Sequence, residues 1–191
     1  MSIAPTAPPD RAAPVILGLA GILLLAVLVF SAGIAQADIH RFVGEYAGSA
    51  EVSSADGTLI KRDMSVTISQ NQDGFTVKWT STTYKPDGRT KEKTYEIFFL
   101  PTDREGVFSA AMRKNVFGHP IQLDPMKGEP YVWSRITGDT LSVFSLFVDD
   151  EGGYEIQQFD RTLAEGGLTL DYKSVRNGAV QRTVTTFLAR Q

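Results

Sequence analysis

Turn signals recur at short intervals through most of this chain. Gly follows Asp or Asn, or precedes Asp, at 55–57, 72–74, 86–88, 138–139 and 177–178. These residues tolerate the positive φ angles of tight hairpin turns, so each group predicts a chain reversal. The short segments between them are rich in Val, Ile, Thr, Phe and Tyr, which favour strands. No segment after residue 37 repeats its apolar residues with a helical period, so the sequence predicts an all-β fold.

The strand segments also alternate in polarity. In the segment FTVKWTSTTY, Phe75, Val77 and Trp79 share one face while polar residues occupy the other. About 8–10 such antiparallel strands can hide their edges by closing into an up-and-down barrel. A two-sheet sandwich usually needs longer crossover connections, and only residues 113–129 are long enough for one. We therefore expect an antiparallel up-and-down barrel over residues 38–191.

The N-terminal segment reads as an export signal. Residues 12–35 carry no charge, Arg11 precedes them, and AQA follows at 35–37. A basic start, an apolar centre and an A-x-A end are the parts of a secretory signal peptide, with cleavage expected after Ala37. The apolar run is also long enough to cross about 30 Å of hydrocarbon, so an N-terminal membrane anchor is the alternative. Either way we expect a periplasmic or secreted domain.

Composition narrows the function classes. The 191 residues hold 19 Lys and Arg against 22 Asp and Glu, and no basic face argues for nucleic acid. The absence of cysteine rules out disulfides, thiolate nucleophiles and Cys-based metal sites, and only two His are present. No catalytic motif occurs, although a paired-carboxylate enzyme stays open because proximity cannot be read from sequence. We expect a protein that is not an enzyme and uses neither metal nor cofactor.

One short motif carries a family resemblance. The opening FVGEYAGSAEV, with Gly44 and Tyr46, resembles the first strand of lipocalins and other calycins, where an aromatic follows a Gly by two residues. Tyr stands here where Trp is usual, and LDYKS at 170–174 has the wrong order for the second lipocalin motif. The resemblance implies that Tyr46 packs at the closed end of the barrel and that Arg190 lies over it. It also implies that the barrel binds a small molecule.

Two arginines are candidate ligand-binding residues. Each arginine occupies the same alternate positions as apolar residues of its own strand, as Arg182 does with Val180. This alternation predicts that Arg62 and Arg182 point into the barrel. A buried guanidinium needs a carboxylate or an anionic ligand, and Arg binds carboxylates with two parallel hydrogen bonds. The alternative is that they lie near a barrel end, reach water, or pair internally with Glu51 or Asp160.

Further candidates line the predicted interior and its longest loop. An apolar ligand tail is expected among Phe75, Val77, Trp79, Ile97 and Phe99. Loop 113–129 is the longest break between strands and carries a predicted lid of Phe117, His119 and Ile121. It could equally plug the barrel end or cover strand 140–148, which is apolar on both faces. His119 could in principle bind haem, but a lone loop His is more typical of polar surface.

These observations favour an exported lipocalin-like barrel that binds a hydrophobic or anionic amphipathic small molecule. The second hypothesis is a non-catalytic accessory module whose solid barrel docks on an envelope partner through strand 140–148. The third is a cavity enzyme that uses carboxylates. Membrane contact is expected only through an uncleaved leader or through a partner.

Overall fold

The structure is a computed structural model that describes residues 38–53, 59–111, 113–114, 117–118 and 120–191. The predicted leader at 1–37 therefore lies outside the described residues. Within the ranges just given, no helix is long and apolar enough to cross a membrane.

Strands dominate the described chain, with two short 3-10 helices as the other regular elements. In chain order they are a 3-10 helix at Ile39–Phe42, β1 Gly44–Ser53, β2 Leu59–Asn71, β3 Gly74–Tyr84, β4 Thr90–Pro101, β5 Val107–Ala110, β6 Arg113–Lys114, β7 Pro120–Ile121, a 3-10 helix at Pro125–Lys127, β8 Tyr131–Thr137, β9 Thr140–Val148, β10 Tyr154–Ala164, β11 Gly167–Arg176 and β12 Ala179–Arg190.

Ten of these strands form one closed antiparallel barrel. Their order around the wall is β1-β12-β11-β10-β9-β8-β5-β4-β3-β2, while β6 and β7 form a separate two-stranded sheet. Each barrel strand pairs with the next barrel strand along the chain, and β1 closes on β12 with Tyr46 opposite Arg190. Closure leaves the main sheet without a free edge. The predicted all-β, up-and-down barrel is confirmed.

A packed core fills the barrel next to the first 3-10 helix. Phe42 from that helix is fully buried, and the Tyr46 hydroxyl donates a 2.9 Å hydrogen bond to the Phe42 carbonyl. Side chains from the alternating inward positions of the strands complete one continuous cluster around them. Its strand members include Ile68, Phe75, Val77, Ile97, Phe99, Leu141, Leu168 and Leu188. This end of the barrel is solid.

Near the β11–β12 hairpin the alternation changes. The turn residues Asn177 and Gly178 have φ angles of 48° and 82°, which the Asn-Gly sequence accommodates. Ser174 pairs with Arg182 but Val175 pairs with Val180, so β12 carries one extra residue at this register shift. Because of this extra residue, the alternation of inward and outward positions shifts by one, and the alternation from which Val180 was predicted to face inward no longer applies. That prediction is wrong, because Val180 is 56% exposed.

Candidate functional site

A cavity of about 330 Å³ lies in the barrel between β2, β3, β4, β10, β11 and β12. Its size falls within the range of about 300–1,000 Å³ typical of small-molecule sites. The wall is strongly asymmetric in charge, because no Asp or Glu is among the described residues that line it. Five basic side chains line it, namely Arg62, Lys91, Lys93, Arg161 and Arg182.

Arg161 is the most unusual of these five side chains. It is 2% exposed, and its Nε and Nη1 atoms have no hydrogen-bond partner among the described residues. Its guanidinium carbon lies 5.7 Å from the ring centre of Trp79 and 5.6 Å from that of Phe159. Contact with aromatic faces stabilises a buried cation but leaves its N–H donors unused. These unused donors belong to a residue that lines the cavity.

The neighbouring carboxylate does not neutralise Arg161. Asp160 accepts hydrogen bonds from Ser142 Oγ at 2.5 Å and from Gln158 Nε2 at 2.6 Å, and it forms no ion pair within the described part of the chain. Burial lowers the pKa of Arg161 to about 10, and the charge of Asp160 only partly opposes that effect. Arg161 therefore stays cationic at neutral pH, and no ion pair neutralises it among the described residues.

Two more guanidinium groups lie toward the other end of this cavity. Arg62 is half-buried, and its buried Nε lacks a hydrogen-bond partner in the described residues. Burial lowers the pKa of Arg62, and the positive charge of the exposed Arg182 lowers it further. In the part of the chain that the structure describes, neither arginine forms an ion pair with Glu51 or Asp160. Here two like charges face each other.

A second cavity of about 380 Å³ adjoins the first, because four lining residues are common to both. The shared residues are Trp79, Tyr95, Gln157 and Phe159. The rest of its wall is mainly apolar and comprises Ile97, Pro130, Val132, Val143, Phe147, Ser145 and Glu155. Glu155 is already hydrogen-bonded, since it accepts from Gln157 Nε2 at 2.8 Å and from Ser174 Oγ at 2.9 Å. A basic chamber next to an apolar one suits an amphipathic ligand.

The residues predicted for the ligand tail occupy two different depths. Trp79 lines both cavities and Ile97 lines the second. Phe75, Val77 and Phe99 are buried in the solid core and are not among the lining residues of either cavity. Phe75 and Phe99 stack on each other with ring centres 5.1 Å apart. Trp79 marks the boundary between packed core and cavity.

Arg161 was not among the site residues predicted from the sequence, although the sequence pattern around it pointed to an inward-facing position. Arg161 alternates with Phe159 and Leu163 in β10, the same parity argument that singled out Arg62 and Arg182. In the structure it lies three residues before the end of β10 and is nevertheless buried, so its charge does not reach water past the barrel end.

The predicted lid is only partly described, because His119 lies outside the described residues. Phe117 and Ile121 are exposed and do not line either cavity. Farther along the loop, the Gln122 side-chain amide donates to the Val132 carbonyl, and the turn Pro125–Lys127 lies against β9. The end of this loop thus packs beside the second cavity.

At the closed end, Gly44, Tyr46 and Arg190 come together. The Arg190 guanidinium carbon lies 5.5 Å from the centre of the Tyr46 ring, and its Nη2 donates to the Val43 carbonyl. A Cβ atom on Gly44 would lie only 2.9 Å from that Nη2, so Gly leaves room for the guanidinium. Burial raises the pKa of Tyr46, and the charge of Arg190 partly opposes this. The three residues form one packed unit at the junction of β1 and β12.

No protein-family model matches the sequence, and neither does any curated protein. The closed ten-stranded barrel is consistent with a calycin-like architecture.

Proposed function

We propose that the protein binds an amphipathic small molecule with an anionic group inside its barrel, as a lipocalin-like carrier. One observation carries the proposal, namely a buried Arg161 with donors unpaired among the described residues, in a cavity wall whose described residues include five basic and no acidic side chains. A carboxylate or similar group would accept charge-assisted hydrogen bonds from Nε and Nη1, which are stronger than neutral ones. The cost of desolvating Arg161 would then be offset by its ligand.

The rest of the cavity would hold the apolar part of the ligand. Trp79, Phe159 and Tyr172 offer aromatic faces next to Arg161, and the adjoining apolar cavity provides more space. Each Å² of apolar surface buried contributes about 25 cal/mol before the cost of ordering the ligand. The exposed Lys91 and Lys93 would raise the local concentration of anions at the entrance.

Calorimetric titration with hexadecanoate and with the uncharged hexadecan-1-ol tests this proposal. We expect the acid to bind at least about tenfold more tightly than the alcohol, because only the acid pairs with Arg161. Arg161→Met should remove this preference, whereas Arg135→Met, at an exposed position of β8, should keep it. Equal affinities for acid and alcohol, or an unchanged preference in Arg161→Met, would refute the proposal.

The proposal includes a location outside the cytoplasm. It is supported by the charge-free run at 12–35 and the A-x-A sequence at 35–37, which favour cleavage after Ala37 over a retained anchor. A periplasmic or secreted barrel would meet lipids and other amphiphiles released from membranes.

A second candidate function rests on the outer surface of β8 and β9. Trp133 stacks on Phe144 with ring centres 4.9 Å apart, and Tyr131 lies 5.8 Å from Trp133. Their neighbours Val132 and Val143 are buried on the inner side, so this aromatic row faces outward. Such a row could dock on an envelope partner. Cross-linking in intact cells should then yield a partner that Trp133→Thr loses, and an identical cross-linking pattern in that variant would dismiss this candidate.

A further inference from the structure

Building on the proposed function, we infer that the ligand carries two anionic groups joined by an apolar spacer, one bound by Arg161 and the other by Arg62 and Arg182. Arg161 and the pair Arg62 and Arg182 form two sites, neither of which has an anion bound from the described chain, and a largely apolar surface lies between them.

The two arginine sites lie at different depths in the barrel. In the pairing register, Arg161 stands opposite Leu170 of β11, and Arg182 stands opposite Ser174 of the same strand. Leu170 and Ser174 are four residues apart, which corresponds to about 13 Å along a strand. Consistently, Arg182 influences the pKa of Arg62, whereas Asp160 is the charged group that influences the pKa of Arg161. The backbones of the two sites are therefore separated along β11, and Arg161 is not among the described groups that influence the pKa of Arg62.

Each site lacks an anion of its own. Arg161 has two unpaired N–H groups, and Arg62 has a buried Nε without a partner, in the residues that the structure describes. Arg62 and Arg182 form the outer site, and the charges of both arginines and of Glu155 influence the pKa of Tyr172. Its carboxylate is bound by Gln157 and Ser174, and no ion pair joins it to an arginine in the described chain. A ligand with a single anionic group bound at Arg161 would leave the positive charges of Arg62 and Arg182 uncompensated.

The wall between the two sites is apolar or aromatic. Met64 and Val184 follow Arg62 and Arg182 toward the core, and Leu170 and Tyr172 face them from β11. Met64, Val184 and Leu170 give no partner to a charged group but pack well against methylene groups. The chemical class that fits is therefore a chain or ring system with an anionic group at each end.

Matched ligands test the inference on the full chain. Calorimetry would compare α,ω-dicarboxylates from octanedioate to hexadecanedioate with their monomethyl esters, which have nearly the same length but one charge. At the best length we expect the dicarboxylate to bind at least about tenfold more tightly than its half-ester. Arg62→Met should weaken the dicarboxylate much more than the half-ester and so remove that advantage, while Arg161→Met should weaken both ligands.

Lys173→Met, at an exposed position of β11, serves as the control and should change neither ligand. If no dicarboxylate binds more tightly than its half-ester, the inference is overturned. Half-ester binding that requires Arg161 would still support the proposed function. Binding of neither ligand would overturn both. A dicarboxylate advantage that survives Arg62→Met and Arg182→Met would show that the second anion is bound elsewhere, which also overturns the inference. Glu155→Gln should increase dicarboxylate affinity, since it removes a negative charge that influences Tyr172 together with Arg62 and Arg182.

Discussion

Replacing Arg161 by Met should make the ligand-free protein more stable. Burial lowers the pKa of Arg161 to about 10. At about 1.4 kcal/mol for each pKa unit below its ordinary value, burying the cation destabilises the fold by roughly 3 kcal/mol at neutral pH. Met removes this charge and fills similar space with a flexible apolar chain. A residue that binds an anion is thus expected to weaken the protein that carries it.

The expected gain is smaller than the desolvation cost. The variant loses the contacts of the guanidinium with Trp79 and Phe159, worth about 1 kcal/mol each. The net stabilisation is therefore about 1 kcal/mol, which raises Tm by roughly 2–4 °C in a domain of this size. The difference should shrink as the pH rises above about 10, because folded wild-type protein then releases the Arg161 proton while the unfolded chain still holds it.

Urea unfolding followed by far-ultraviolet circular dichroism measures this difference in the free energy of unfolding. Arg135→Met is the control, since that arginine is exposed on the barrel wall and its replacement should change stability by no more than about 0.5 kcal/mol. Saturating hexadecanoate should reverse the order and make wild type the more stable protein. If Arg161→Met folds but is less stable than wild type by more than about 1 kcal/mol, then the barrel itself compensates the charge and the reasoning fails.

Three other predictions concern the closed end and the leader. Tyr46→Phe should lower the free energy of unfolding by about 1–2 kcal/mol, because the Phe42 carbonyl loses its donor. Since burial raises the pKa of Tyr46, this deficit should diminish in urea titrations as the pH rises through the folded-state pKa. Gly44→Ala should cost about 1–3 kcal/mol, because L side chains rarely adopt the φ of 155° at Gly44, and Arg190→Ala should leave most of that cost in a double-mutant cycle. The intact mass of protein from the extracytoplasmic fraction should begin at Asp38, whereas a membrane-bound species that keeps its leader would contradict cleavage.

The barrel could be predicted because its determinants are local. Hairpin turns require residues that accept positive φ, as Asn177 and Gly178 do, and a half-buried strand requires alternation of apolar and polar residues. Both rules are visible in a single sequence. The register shift between Ser174 and Val175 is not, because a bulge depends on how two strands pair rather than on either strand alone.

The site was harder to predict because depth along the barrel axis is a property of the whole sheet. Parity puts Phe75 and Trp79 on the same inner face, yet Phe75 is packed in the core and Trp79 lines the cavities. Likewise, parity treats Arg62, Arg161 and Arg182 alike. The stagger of the strands around the closed barrel decides that Arg161 is fully buried and that Arg182 is exposed.

A crystal structure of the protein grown with hexadecanoate tests the central claim most directly. We predict that the carboxylate accepts hydrogen bonds of about 2.7–2.9 Å from Nε and Nη1 of Arg161, with the chain against Trp79 and Phe159. A carboxylate left in solvent beyond Lys91, with the Arg161 donors unengaged, would contradict the account.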